Sequence, residues 1–116
     1  MKTPKIEGYS FGNIVIDGRQ YSKDLIIYPD HIDCPWWRKD GHSLVSEDVS
    51  EILQAPPDFL VVGTGSPGLL RLPAATHRRL KEAGMEVIIE STEQACKTYN
   101  RLRSQGRTVA ALHLTC

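Results

Sequence analysis

Three strand-like runs in the second half of the chain each follow a segment whose apolar residues repeat with helical spacing. The runs comprise residues 58–62, 85–90 and 109–114. A helix that connects two parallel strands packs back against their sheet in a right-handed crossover. This alternation therefore predicts an α/β domain with at least three parallel strands.

The three predicted helices have residues at their ends that commonly begin or end a helix. Ser46 is a favourable N-cap for the first helix. Pro73 suits the first position of the second helix, and Gly84 suits the position just after its end. Ser91 and Gln94 have the spacing of a capping box at the start of the third helix.

The first third of the chain contains further strand-like segments, with no helical segment between them. These segments comprise residues 13–16, 19–21, 24–28 and 31–34. Asp17-Gly18 between the first two is a strong signal for a two-residue hairpin. We therefore expect an antiparallel meander beside the parallel strands, so that residues 1–116 form a single α/β domain with a mixed sheet.

The charge balance and hydropathy of the chain exclude several classes of partner. The 116 residues carry 14 Lys and Arg against 14 Asp and Glu, so the net charge is zero. Nucleic-acid binding draws much of its affinity from a basic excess, and we expect no nucleic-acid partner. No apolar run approaches the roughly 20 residues that cross a bilayer, so membrane insertion is not expected either.

The cysteines and the first residues of the chain predict a cytoplasmic location. Cys34, Cys96 and Cys116 are widely separated and form no CxxC pair. An odd number of such cysteines is not a disulfide framework, and we expect reduced thiols. The N-terminal residues include an early acid, Glu7, and lack the apolar core of a signal peptide.

A glycine-rich turn follows the first strand-like run of the second half. Gly63-x-Gly65-x-x-Gly68, with Glu90 some distance further on, has the outline of a dinucleotide-binding fingerprint. In that fingerprint the glycines lead directly into a helix whose N-terminal amides hold the pyrophosphate. Four residues separate Gly68 from Pro73 here, so we predict no nicotinamide cofactor and no other cofactor.

The same turn nevertheless carries an alternative hypothesis of small-molecule or anion binding, including a possible enzyme. Open α/β sheets usually bind ligands at the carboxyl ends of their strands. Exposed backbone amides of Gly65 and Ser66 would then meet an anion or the carboxylate of a partner. Gly63, Thr64, Gly65 and Ser66 are therefore candidate binding residues.

Two His-x-x-Cys pairs invite comparison with a zinc site. His31 and Cys34 form one pair, and His113 and Cys116 form the other. Two nitrogen and two sulfur ligands would suit tetrahedral zinc. Both pairs fall in predicted strands, where residues three apart point to opposite faces of the sheet. We therefore predict no metal site.

No arrangement typical of hydrolytic catalysis is present. Pro67 follows Ser66, which removes an amide that an oxyanion hole would need. Asp30 and Asp33 are more typical of turn residues than of an acid and base pair. A nucleophilic Cys116 assisted by His113 is conceivable, but a thiol at that position is unshielded. We assign no catalytic residue.

Trp36, Trp37 and Arg38 form the other unusual segment, in which the two tryptophans of the chain are adjacent. Adjacent side chains rarely both point into one core, so we expect at least one indole near the surface. An exposed tryptophan beside arginine has the composition of a binding hot spot. These three residues are therefore candidates for a surface that binds a protein partner.

The sequence resembles the domain-of-unknown-function 498 family. The residues that carry the resemblance are Phe11-Gly12, Trp37-Arg38, the run 60–65, the run 92–95, Tyr99-Asn100, Gly106-Arg107, the run 109–111, and His113 with Thr115-Cys116. These positions extend over nearly the whole chain, and those in its C-terminal part are the more specific.

The resemblance implies a three-layer domain with a mixed central sheet, and it implies no catalytic activity and no cofactor. The family includes a cytosolic protein associated with adipogenesis and a mitochondrial complex I assembly factor. Its members are accessory or assembly proteins that work through protein contacts. We therefore expect this chain to act on a protein partner, with ligand binding at residues 63–68 as the alternative.

Overall fold

A five-stranded mixed sheet lies at the centre of the structure, a computed structural model that describes residues 3–38, 40 and 42–115. The strands are β1 (Ile6–Ser10), β2 (Asn13–Ile16), β3 (Arg19–Tyr21), β4 (Leu25–Ile27), β5 (Ile32–Asp33), β6 (Phe59–Gly63), β7 (Glu86–Glu90) and β8 (Thr108–Leu112). The helices are α1 (Ser50–Gln54), which continues a 3₁₀ turn over Ser46–Val49, α2 (Ala74–Glu82) and α3 (Thr92–Leu102).

The central sheet has the strand order β5-β4-β8-β6-β7. Strand β6 pairs in parallel with both β7 and β8, which confirms the predicted set of three parallel strands. Strand β4 pairs antiparallel with β8 and with β5, so the sheet is mixed, as expected.

The expected N-terminal meander is divided between two sheets. Strands β1, β2 and β3 form a separate antiparallel sheet, whereas β4 and β5 extend the central one. Strand β1 was not among the predicted strands. Its five residues alternate poorly, with only Ile6 buried, so the sequence gives little sign of a strand there.

The central sheet has an apolar core on each face, which produces three layers. One core joins the sheet to α3 and the small sheet, with Tyr99 and Ile14 fully buried. The other joins the sheet to the 3₁₀ turn, α1 and α2, with Ile52 and Leu80 fully buried. The three-layer α/β arrangement agrees with the architecture that the family resemblance implies.

The small sheet is attached to α3 by side chains that bind its backbone. Asn100 accepts a hydrogen bond from the Ile6 amide at 3.0 Å and donates one to the Ile6 carbonyl at 2.7 Å. The Tyr99 hydroxyl donates to the Pro4 carbonyl at 2.6 Å. These bonds satisfy the Ile6 amide, the Ile6 carbonyl and the Pro4 carbonyl where the small sheet packs on α3.

The observed helix ends differ in several details from the predicted caps. Ser46 lies inside the 3₁₀ turn, and the Val45 amide before it donates to the Asp48 carboxylate at 3.1 Å. Pro73 is the N-cap of α2 rather than its first helical residue, and the Ser91 side chain makes no capping hydrogen bond. Gly84 follows the C-cap of α2 with a φ of 94°, as predicted.

We predict that Gly63→Ala destabilises the fold, whereas Gly8→Ala does not. A methyl group at Gly63 would lie 2.9 Å from both Leu112 Cδ2 and Thr92 Oγ1, and 3.2 Å from the Thr92 backbone. Overpacking of this kind typically costs about 1–3 kcal/mol. At Gly8 a methyl group meets nothing within 4 Å. Urea unfolding measures both changes, and equal midpoints for the two variants would contradict the prediction.

Candidate functional site

Four segments converge at the carboxyl ends of β6 and β8. The amide of Gly12, in the turn between β1 and β2, donates to the Leu114 carbonyl at 2.8 Å. The Ser66 amide donates to the Thr115 carbonyl at 2.8 Å, and the His113 amide donates to the Gly63 carbonyl at 3.0 Å. We call residues 11–12, 36–38, 63–69 and 113–115 the strand-end surface. Residues 36–38 are joined to it through the side chains of Asp24, Arg38 and His113.

The carboxylate of Asp24 connects the Trp-Trp-Arg segment to the end of β8. One of its oxygens, Oδ2, lies 2.9 Å from Arg38 Nη2 and 2.7 Å from His113 Nδ1. The other oxygen accepts the Leu114 amide at 2.7 Å. The Arg38 and His113 side chains are both more than nine-tenths buried. A carboxylate only accepts hydrogen bonds, so the proton between it and the imidazole belongs to Nδ1.

These contacts keep Asp24 ionised. Burial alone would raise the pKa of its carboxyl group. Hydrogen bonds from His113, the Leu114 amide and Arg38 outweigh burial and lower this pKa to about 2. The carboxylate is therefore negatively charged at neutral pH and attracts the Arg38 guanidinium.

The two tryptophans have opposite environments, which confirms that at least one indole is near the surface. Trp36 is buried, and its amide donates to the Asp24 carbonyl at 2.7 Å. Its indole Nε1 donates to the Asp48 carbonyl at 3.1 Å, and the Arg38 guanidinium lies 4.7 Å from the centre of its ring. Trp37, between these two anchored residues, is 82% exposed.

Two other large apolar side chains are exposed on segments of the strand-end surface. Phe11 is 62% exposed in the turn before Gly12, and Leu69 is 49% exposed just after the glycine turn. Because both segments are hydrogen-bonded to residues 113–115, they are carried by the same end of the sheet as Trp37. The structure thus brings together the two sets of predicted binding residues, 36–38 and 63–66.

The glycine turn does not offer the free backbone amides that the alternative hypothesis of anion binding requires. Gly65 is buried, and its amide donates to Thr92 Oγ1 at 2.8 Å. The Thr92 hydroxyl donates in turn to the His113 carbonyl, and the Ser66 amide has the Thr115 carbonyl as its acceptor. Helix α2 begins only at Ala74, so the turn does not lead directly into a helix. Both amides are therefore hydrogen-bonded within the fold, where they hold the glycine turn against the segments that contain Thr92 and Thr115.

The cysteines and histidines of the zinc comparison do not assemble in the described part of the chain. His31 Nδ1 contacts the Asp30 carboxylate at 2.7 Å, while Cys34 Sγ lies 3.7 Å from the Lys23 carbonyl. Cys116, and with it the second His-x-x-Cys pair and the proposed nucleophile, lies outside the described residues. Burial raises the pKa of the Cys96 thiol to about 12, so this thiol is a poor nucleophile.

The geometry around Asp24 suits support of residues 36–38 better than general-base catalysis by His113. An imidazole oriented by a carboxylate is a common general base, but such a base must reach its substrate. His113 is 6% exposed, and its Nε2 is buried without a hydrogen-bond partner among the described residues. The Asp24 cluster therefore acts as a support for the segment that carries Trp37.

Sequence reasoning missed Asp24 as the centre of this cluster. It lies 14 residues from Arg38 and 89 residues from His113, so no local spacing joins the three. The available signal was an acid just before the buried strand Leu25–Ile27, a position that places a carboxylate at the end of the central sheet.

The described residues include no helix with the length and apolar character needed to cross a membrane.

Comparison with known proteins gives one family and relatives of modest identity. The family model described as a protein of unknown function (DUF498/DUF598) matches residues 6–114. A 13 kDa major membrane protein of Francisella tularensis is 29% identical over 111 residues, which are 90% of this chain and 85% of that protein. The human NADH dehydrogenase (ubiquinone) 1 alpha subcomplex assembly factor 3 is 26% identical over 109 residues, 91% of this chain. The chain spans only 58% of that human protein.

A solved structure agrees closely with the fold. The crystal structure of a conserved hypothetical protein from Pyrococcus horikoshii has a TM-score of 0.82 and 32% sequence identity. The match covers 97% of this chain and 99% of the archaeal chain.

We predict that part of the folding stability depends on pH through Asp24. Its pKa is about 2 in the folded protein against an ordinary 3.8, so the unfolded chain takes up the proton first as the pH falls. The stabilisation is complete above the ordinary pKa and is lost toward pH 2. It amounts to about 2 kcal/mol.

Urea unfolding of the wild type and Asp24→Asn at a series of pH values measures this contribution. The difference in unfolding free energy between the two proteins should shrink by about 2 kcal/mol between about pH 5 and pH 2. A difference that stays constant over this range would contradict the assignment of the cluster.

Proposed function

Because the chain belongs to the DUF498/DUF598 family of proteins of unknown function, we propose that it acts as an accessory or assembly-type protein through contacts with a protein partner. A relative named as an assembly factor supports this proposal, although the chain spans only part of that relative. The strand-end surface is the proposed contact region. A cytoplasmic location is part of the same proposal.

The observation that carries the proposal is the exposure of Trp37 on an anchored segment. A tryptophan 82% exposed to water loses little conformational freedom on binding when its backbone is already fixed. Here Trp36 and Arg38 fix the backbone on either side through Asp24. Buried tryptophans contribute strongly at protein interfaces, so an anchored and exposed one is suited to a binding hot spot.

The neighbouring segments of the strand-end surface support a macromolecular partner over a small ligand. Phe11 and Leu69 add exposed apolar side chains next to backbone that is tied to residues 113–115. Apolar side chains distributed over several loops suit the broad, shallow contact of a protein interface. A small ligand usually requires a concave site with converging polar groups.

The alternative, anion or small-molecule binding at residues 63–68, has weaker support. It requires free backbone amides at Gly65 and Ser66, and both amides donate within the fold. A thermal-shift panel of nucleotides, acyl-CoAs and phosphorylated metabolites distinguishes the two hypotheses. Strong stabilisation by one of these compounds would favour the alternative.

We predict that Trp37→Ala abolishes capture of a partner protein while the fold is retained. Loss of a central tryptophan typically costs at least about 2 kcal/mol of binding free energy, or about 30-fold in affinity. Quantitative mass spectrometry of proteins captured from native lysate of the source organism provides the measurement. Ile89→Ala is the matched control, because Ile89 is a 42% exposed apolar residue on the edge strand β7.

Proteins retained by the wild type and by Ile89→Ala, but lost from Trp37→Ala, would support the strand-end surface as the interface. Thermal unfolding should show that both variants keep the wild-type fold. Equal capture by all three proteins would exclude Trp37 as a hot spot and overturn the proposal in this form.

A further inference from the structure

A second group of polar side chains lies just before β5, on β5 and on α1, at the opposite edge of the central sheet from β7. It consists of His31, Asp33 and Glu51, and the group offers one nitrogen and two carboxylate oxygens that all lie within 4.8 Å of one another. We propose that these three residues form a binding site for a divalent transition-metal cation of the Zn²⁺ class. The proposal is independent of the function assigned to the strand-end surface.

The backbone around this group fixes the positions of the proposed ligands. Ile32 and Asp33 pair with β4, whose partner on the other side is β8. The Tyr28 amide donates to the His31 carbonyl at 2.8 Å, which closes the turn between β4 and β5. The imidazole of His31 stacks on the Tyr28 ring with 4.5 Å between centres and 13° between planes. The ring is therefore held in place before any cation binds.

The orientation of His31 is that of a metal-ligating histidine. Its Nδ1 lies 2.7 Å from the Asp30 carboxylate, which accepts a hydrogen bond from that nitrogen. The lone pair of the neutral ring is then on Nε2, as in sites where an outer carboxylate orients a zinc ligand. Nε2 lies 3.9 Å from Glu51 Oε2. That distance is too long for a hydrogen bond, whereas two ligands of one tetrahedral zinc lie about 3.4 Å apart.

The charge of the group also favours a cation. Burial of Tyr28, together with the nearby carboxylates of Glu51 and Asp33, raises the pKa of its phenol. These two carboxylates are thus close enough to act on the same ring, and with Asp30 they surround one imidazole. A divalent cation between them would be attracted by these carboxylates. One imidazole and two carboxylates suit Zn²⁺, Co²⁺ or Mn²⁺, with water completing the coordination.

Sequence spacing did not indicate this arrangement. His31 was compared with Cys34, whose thiol instead lies against the Lys23 carbonyl. Glu51 is 20 residues from His31 along the chain, and only the packing of the helical segment beside β5 brings the two together.

Titration with Zn²⁺ tests the proposal in the full chain carrying Cys34→Ser and Cys116→Ser, which removes competing thiols. Nitrogen-15 NMR of the imidazoles reports which ring nitrogen binds. We expect one saturable site, with the shift concentrated on His31 Nε2. His31→Ala should abolish that site, and Glu51→Gln should weaken it at least about 10-fold. Asp30→Asn should weaken it by about 10-fold through the orientation of the ring.

His77→Ala on α2 is the matched control and should bind Zn²⁺ as the parent protein does. Thermal unfolding without metal should show that every variant is folded. Absence of saturable binding at millimolar Zn²⁺ would overturn the proposal. So would binding that survives His31→Ala or that is lost in His77→Ala.

Discussion

One partly buried carboxylate joins three distant parts of this chain. Asp24 receives hydrogen bonds from Arg38, His113 and the Leu114 amide, and it is the negative partner of a guanidinium that is itself buried. Isolated charges are very costly inside a protein, and they persist there only when paired and hydrogen-bonded. The conformation of residues 36–38 therefore depends on Asp24.

Because residues 36 and 38 are anchored, the side chain of Trp37 is exposed at the surface. Trp36 and Arg38 point inward, so Trp37 between them is left facing solvent. Thr92 performs a comparable task for the glycine turn, since its hydroxyl links the Gly65 amide to the His113 carbonyl. The end of the central sheet thus combines a rigid polar interior with exposed apolar tips, the combination expected of a preorganised protein-binding surface.

Much of the fold follows from local patterns, whereas the site depends on long-range contacts. The parallel strands were predictable because each follows a helical segment. An exposed indole was predictable because adjacent side chains rarely both point into one core, but the sequence did not indicate which of the two tryptophans it is. The division of the meander between two sheets was not predictable, because the pairing of β4 with β8 joins residues 25–27 to the distant residues 110–112. For the same reason no local spacing linked Asp24 to His113, and the alternative hypothesis of an exposed Gly65 amide did not anticipate its hydrogen bond to Thr92.

The most direct test of the central claim is amide hydrogen exchange at Trp36 in the wild type and in Arg38→Gln. The Trp36 amide donates to the Asp24 carbonyl, so its protection reports whether the segment stays anchored. Removal of the guanidinium should speed exchange at Trp36, while the amides of Val61 and Val62 in β6 stay protected. Unchanged protection of Trp36 would show that the ion pair between Asp24 and Arg38 does not hold the segment and would contradict the account.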